Sequence, residues 1–114
     1  MSDPMSIHLI PPHMREQIIC YLLRGVPMGG FLTAVFSNNL FDAVGAADSV
    51  NIKILPAYAI FICNNTPLAC WGSRREVFAW SAAGGCPLES LRLPAEWAES
   101  VAAVVALFNE EANQ

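Results

Sequence analysis

Apolar residues recur every three to four positions in several stretches of the chain, and this spacing predicts helices. The clearest stretch covers residues 12–24, where Pro12 suits a first helical turn and Gly25 suits a left-handed stop. Two shorter stretches predict helices over 30–36 and 40–47. In the second of these, the side chains expected to point into the core are Leu40, Phe41 and Val44.

The second half of the chain contains two further helix patterns. Ser73, with Glu76 three positions later, forms a capping box that predicts a helix start, and Gly84 and Gly85 predict the end of that helix. Pro94 begins the last predicted helix, after a linker. The apolar side chains that form the inner stripe of this last helix are Trp97, Val101, Val104, Val105 and Phe108.

Residues 50–63 fit two secondary structures. Their β-branched and aromatic side chains fall at every second position, which suits a strand, but Pro56 interrupts the middle of the segment. A helix kinked at Pro56 is favoured, because a lone strand would have no sheet to join among helical neighbours. The sequence therefore predicts an all-α fold, a compact bundle of five to six short helices, with residues 50–63 open between a kinked helix and a strand.

Length and composition favour a single domain. The chain has 114 residues, of which 54% are hydrophobic and 14% charged, so one core is expected. Residues 1–10 show no helical period and predict a flexible leader that docks through Ile7, Leu9 and Ile10. Residues 11–114 predict a single helical domain. With so few charges, part of the surface is expected to be apolar, as in proteins that bind another chain.

Charge and hydropathy argue against several classes of function. The net charge is −4 and the only adjacent cations are Arg74 and Arg75, so a nucleic-acid partner is not favoured. The apolar run 54–63 is about half as long as a bilayer-spanning helix requires and contains a proline, so no membrane span is predicted. The amino end lacks a secretory signal, which predicts a cytoplasmic protein with its four cysteines reduced.

Candidate catalytic and metal-binding residues are few. The four cysteines and two histidines do not form the close pairs that structural zinc uses, so no metal site and no cofactor are expected. Cys70 is the best candidate nucleophile, because the helix start at Ser73 would stabilise a thiolate. Both histidines lie in or just after the leader, so Cys70 lacks an evident base. The sequence therefore favours a protein that is not an enzyme.

Two features predict contacts with another chain. Trp71, in a short loop before a helix, either plugs the core or offers an aromatic anchor to a partner, and core plugging is favoured. The alternating apolar residues of 50–63 would lie around the whole circumference of a helix, or pair as an edge strand, and a two-fold homodimer is the simplest way to cover them. The candidate partner-binding residues are Trp71, Tyr58, Ile60, Ile62, Arg74 and Arg75.

Several short segments are distinctive as sequence strings. They lie at 10–15, 25–40, 46–48 and 70–73, and they include Gly-Phe-Leu-Thr-Ala-Val and Cys-Trp-Gly-Ser. In this order and spacing they resemble a family of small uncharacterised phage and prophage proteins, over about residues 10–83. The resemblance implies a phage origin and little about mechanism. The family has a polar helical run where this chain has apolar residues, a difference that would fit an additional buried interface.

These observations predict a phage or prophage accessory protein that binds a host or phage protein, in host takeover or counter-defence. The first alternative is a small helix-turn-helix DNA-binding regulator, with the corner at 24–31 as its turn. Its predicted recognition helix, 30–36, contains no Arg, Lys, Gln or Asn to read base edges. The second alternative is a thiol enzyme centred on Cys70.

Overall fold

The computed structural model describes residues 9–86 and 95–112, and the regular elements in these residues are all helical. Short 3-10 turns at Asn51–Ile54 and Leu68–Cys70 precede the fourth and fifth α-helices. The all-α prediction is confirmed for the described part of the chain. The α-helices are α1 Pro12–Arg24, α2 Gly30–Phe36, α3 Leu40–Ala46, α4 Leu55–Asn65, α5 Arg74–Ala82 and α6 Ala95–Ala112.

The helix ends follow the local sequence patterns. Gly25 ends α1 in the left-handed region with φ of 71°, as predicted. Asn39 caps α3 by accepting a hydrogen bond from the backbone N–H of Asp42 at 3.0 Å. Ser73 is the N-cap of α5 and its hydroxyl accepts from the backbone N–H of Glu76, which confirms the predicted start. These local interactions fix the helix boundaries before any tertiary contact is considered.

The segment 50–63 is helical, but Pro56 does not kink it. Asp48 accepts hydrogen bonds from the backbone of Val50 and Asn51, which starts the 3-10 turn. Helix α4 begins at Leu55, so Pro56 lies in the first turn, where its missing N–H costs nothing. The prediction of a kink within a longer helix is therefore wrong, and so is the strand alternative.

The core is centred on Tyr21 of α1. Its ring packs 5.3 Å from the ring of Phe36 and 6.4 Å from that of Trp80. Its hydroxyl donates to the carbonyl of Cys70 at 2.7 Å, and its own carbonyl accepts from the indole of Trp80 at 2.9 Å. Burial raises the pKa of Tyr21, with a smaller contribution from Cys70. Tyr21 thus joins α1, α2 and α5 in one packed and hydrogen-bonded unit.

Helix α6 closes the core against α1 and α4. Val101, Val104 and Phe108 are buried, as the predicted inner stripe requires, while Trp97 and Val105 are half-buried against the core. Phe108 packs 5.5 Å from Phe61 of α4. The predicted start of this helix at Pro94, with the linker before it, lies outside the described residues.

The amino-terminal segment meets the same core. Ile10 is fully buried, as its predicted docking role requires, whereas Leu9 is 39% exposed. Ile7, the third residue predicted to dock, lies outside the described residues. The side chain of Arg15 donates to the carbonyl of Ile10 at 2.7 Å, and this bond holds the segment beside α1.

The ends of α1 and α5 meet at two glycines. Gly25 and Gly85 both have left-handed backbones, with φ of 71° and 73°. They approach so closely that a Cβ atom on Gly85 would lie 2.6 Å from the backbone nitrogen of Gly25. The hydroxyl of Ser81 donates to the carbonyl of Gly25, and the N–H of Cys86 donates to the carbonyl of Leu22 at 2.8 Å. This contact fastens the two helix ends together.

Helix α3 lies at the edge of the fold and packs mainly against α2. Ala43 is its only buried side chain. The three residues predicted to point inward are exposed instead, with Leu40 at 61%, Phe41 at 87% and Val44 at 45%. The prediction is wrong because an apolar helix face can equally be turned outward, and here the small side chain of Ala43 makes the contact with α2.

Candidate protein-binding surface

Helix α4 is unusual for a helix at the surface, because none of its eleven residues is charged. One side packs into the core through Ala57, Tyr58, Phe61 and Ile62. The other side is also apolar, although surface helices ordinarily place charged and polar residues there. We call this exposed side the apolar α4 face; it consists of Pro56, Ala59, Ile60 and Cys63.

Two predicted contact residues, Tyr58 and Ile62, lie on the inner side of α4. Tyr58 packs its ring 5.2 Å from Phe31, and its hydroxyl donates to the side-chain oxygen of Asn51 at 2.6 Å. Burial raises the pKa of Tyr58, with a smaller contribution from Asp48. Ile62 follows one helical turn later and is equally buried. Tyr58 and Ile62 therefore belong to the core, and their predicted role as contact residues is wrong.

Ile60, by contrast, lies on the apolar α4 face with 38% of its surface exposed. The two sides of the segment separate because a helix turns by about 100° per residue, so positions 58 and 62 share the inner side and position 60 points away. The sequence-based prediction placed the alternating residues Tyr58, Ile60 and Ile62 in one contact surface. In the structure Tyr58 and Ile62 lie in the core and Ile60 lies at the surface.

A groove between α3 and α4 adjoins this face. Its apolar walls come from Leu40 and Ala43 of α3 and from Leu55 and Ala59 of α4. It encloses about 120 Å³, and Asn38 and Asn39 supply its polar rim. We call it the α3–α4 groove. Ala59 belongs to both the groove and the apolar α4 face, so the two form one continuous surface.

A second groove lies on the other side of α3. It is larger, at about 500 Å³, and its lining includes Phe41 and Asp42 of α3 and Arg74 at the start of α5. Its remaining lining is small, and comprises Gly30, Thr33, Ala34, Gly45 and Ala46. We call it the α3–α5 groove.

The basic residues predicted to bind a partner lie at the start of α5. Arg74 and Arg75 are both exposed. The guanidinium of Arg74 lies 5.8 Å from the ring centre of Phe78, itself 57% exposed. Arg74 therefore brings a positive charge and an aromatic neighbour to the edge of the α3–α5 groove.

Trp71 is half-buried and packs against the core, which supports the core-plugging interpretation. Its indole N–H is buried and has no hydrogen-bond partner among the described residues. The next residue, Gly72, donates its backbone N–H to the carbonyl of Phe36 at 2.8 Å and so holds the loop against α2. A contact of Trp71 with a partner stays a prediction.

Cys70 does not have the environment of a nucleophile. Its side chain is fully buried, and burial raises the pKa of the thiol to about 12. A thiol with such a pKa is protonated at neutral pH, and its position leaves no path for a substrate. The described residues also contain no group of three or more His, Cys, Asp or Glu side chains that could hold a metal ion.

In the described part of the chain, none of the helices combines the length and hydropathy needed to cross a bilayer.

The exposed apolar residues Phe41, Ala59 and Cys63 were not among the predicted contact residues. The sequence does contain a feature that would have pointed to α4, namely the complete absence of charge from position 54 to position 65.

No protein-family model, curated protein or solved structure matches the chain. The likeness of its short segments to phage and prophage proteins therefore stays a prediction. The apolar surfaces around α3 and α4 are the chemical features from which a function can be inferred.

Proposed function

We propose that this chain is a phage or prophage accessory protein that acts in the host cytoplasm by binding a host or phage protein, without catalysis. Its binding surface is the apolar α4 face together with the α3–α4 groove. Host takeover and counter-defence are the processes in which such a binder would act. The phage origin is supported by the sequence resemblance, and the binding activity is supported by the surface.

The observation that supports binding is the uncharged, outward-facing side of α4. Exposed apolar surface on a folded domain is commonly a site of association, because its burial releases free energy at about 25 cal/mol per Å². The core already uses the opposite side of α4, and among the described residues the outer side is left uncovered. A partner that covers Ile60 would bury the part of this side chain that remains exposed.

The shape of the surface favours a helical partner segment. A groove between two helices, next to an apolar helix face, matches the mode in which an amphipathic helix inserts apolar side chains at one-turn spacing. Leu40 and Leu55 line the groove and would contact such side chains. Asn38, exposed in the lining of the groove, offers hydrogen bonds that would set the orientation of the segment, whereas the amide of Asn39 is already bonded to Asp42.

The two alternatives find less support. Helix α2, the recognition helix of the DNA-binding alternative, leaves only Gly30, Thr33 and Val35 outside the core, and none of these has a long polar side chain to read base edges. For the thiol enzyme, the buried and protonated Cys70 lacks access to a substrate. Neither alternative has an observation in its favour.

The test compares a charged substitution on the surface with the same substitution elsewhere. Ile60→Asp places a carboxylate on the apolar α4 face, and Ala102→Asp places one on the exposed side of α6. Tagged wild-type protein and Ala102→Asp are expected to retain the same protein from a lysate of infected bacteria, and Ile60→Asp is expected to lose it.

Calorimetric titration of the purified partner then measures the effect directly. We expect Ile60→Asp to weaken binding roughly tenfold or more, since a charge buried without a counter-ion opposes association. Circular dichroism checks that both variants keep the helical fold. Equal affinity of the wild type and Ile60→Asp for that partner would contradict the proposed surface.

A further inference from the structure

We infer that the α3–α5 groove binds a second copy of this chain, with Phe41 of each copy inserted into the groove of the other. This contact is separate from the surface of the proposed function, since it lies on the opposite side of α3. The residues that form it include Phe41, Asp42, Gly45, Arg74 and Gly30, all of which line the groove.

The first argument is the exposure of Phe41. At 87% exposed it is the most exposed large apolar side chain among the described residues. It lines a groove whose other lining residues are mostly small, so a protruding ring and a recess lie side by side on one surface. Because a two-fold axis brings a surface against a copy of itself, a ring next to a recess can meet its counterpart reciprocally.

The second argument comes from the two glycines that line the groove. A Cβ atom at Gly45 or at Gly30 would meet nothing within 4 Å, so the packing of this chain does not require glycine at either position. Neither has the positive φ that would favour glycine. Glycine within a helix is also unfavourable relative to alanine. Their small size does have a use if another surface approaches closely, as an inserted phenylalanine ring would.

The third argument is charge complementarity. Asp42 and Arg74 both line the groove, one negative and one positive. A partner of uniform charge would be attracted by one of them and repelled by the other. A second copy related by a two-fold axis can instead place its Arg74 against Asp42 and its Asp42 against Arg74. The stacking of Arg74 on Phe78 leaves the edge of the guanidinium for a carboxylate.

The sequence predicted a homodimer contact through residues 50–63, and the inferred contact lies in the α3–α5 groove instead. Tyr58 is in the core, so Tyr58→Asp would unfold the protein and cannot test association. Ile60 lies on the apolar α4 face, outside the α3–α5 groove. The two surfaces can therefore be tested independently with single substitutions.

Sedimentation equilibrium of the full chain at micromolar concentration provides the test. We expect a dimer for the wild type and for Ile60→Asp, and a dissociation constant raised roughly 100-fold or more for Phe41→Asp, since the ring is buried twice in a two-fold contact. A Cβ at Gly45 would meet nothing within 4 Å, so Gly45→Gln is expected to extend into the groove and to be monomeric while its circular dichroism spectrum stays helical.

A charge exchange tests the orientation of the contact. Asp42→Arg and Arg74→Asp each place like charges against each other in their own dimers, and each is expected to dissociate. Mixing these two variants restores both opposite-charge contacts, so the mixture is expected to dimerise more tightly than either variant alone. This gain separates the interface from a defect in folding.

A wild-type chain that stays monomeric would overturn the inference. So would a dimer that is weakened by Ile60→Asp but not by Phe41→Asp, or a mixture of the charge variants with no gain in association. Since the partner assay of the proposed function depends on Ile60 and not on Phe41, failure of one proposal leaves the other open to its own test.

Discussion

Replacing Gly85 with alanine is expected to lower the free energy of unfolding by about 2–5 kcal/mol, from two separable causes. Gly85 has φ of 73°, and an L-residue in the left-handed region costs roughly 1–2 kcal/mol. Its added Cβ would also lie 2.6 Å from the nitrogen of Gly25, 2.7 Å from that of Arg24 and 2.8 Å from the carbonyl carbon of Leu23. These are backbone atoms at the end of α1, so the two helix ends must move apart, at a cost of about 1–3 kcal/mol.

The neighbouring glycine provides the control. Gly84 has φ of 85°, but a Cβ there would meet nothing within 4 Å, so Gly84→Ala is expected to lose only the backbone contribution of roughly 1–2 kcal/mol. Urea denaturation followed by the helical circular dichroism signal measures both variants. Since small domains have a total stability of about 5–15 kcal/mol, the difference is large enough to resolve. Equal losses for the two variants would refute the close contact between the ends of α1 and α5.

Two further predictions concern the start of α5 and the buried hydroxyl and thiol groups. Ser73→Ala is expected to lower stability by about 1 kcal/mol, since the hydroxyl that accepts from the N–H of Glu76 is lost, and an unchanged thermal melt would contradict this role. Stability is also expected to fall as the pH rises above about 9, the ordinary pKa of a thiol, because burial raises the pKa of Cys70 to about 12 and also raises that of Tyr21. The folded chain then keeps protons that the unfolded chain releases, so denaturant midpoints should decrease from neutral to alkaline pH; a flat profile would show that these groups are accessible to solvent.

Local chemistry made the helix boundaries predictable. Pro12 and Gly25 bracket α1, and Ser73 starts α5, because caps and turn residues act over a few positions and need no knowledge of the rest of the fold. The prediction of a kink at Pro56 is wrong for a related reason. A proline is compatible with the first turn of a helix, and where α4 begins depends on the 3-10 turn that Asp48 starts.

The orientation of helices was harder to predict than their existence. The spacing of Leu40, Phe41 and Val44 shows that they share one side of α3, but spacing does not say whether that side meets the core. In α3 the decision depends on α2, which accepts the small Ala43 at close range. The two grooves arise from the same packing and so could not be read from either helix alone.

The division of α4 into an inner and an outer apolar side was only partly predictable. The sequence indicated that its apolar residues could not all meet one core, and the exposure of Ile60 agrees with that reasoning. Which residues remain outside depends on the phase of the helix, and this phase is set by Tyr58 packing on Phe31 and donating to Asn51. A single-sequence pattern contains no information on these long-range contacts.

The burial of a single α3 side chain has a consequence for amide hydrogen exchange. A seven-residue helix that buries only Ala43 forms a small cooperative unit, which can open without unfolding of the core around Tyr21. Its amides should exchange through local opening, faster than those of α1. Any molecule that fills a groove on either side of α3 gives the helix a second neighbour, so slowed exchange confined to α3 would report occupancy. Part of the binding free energy goes into ordering this helix, which lowers affinity and lets the surface adapt to the shape of its partner.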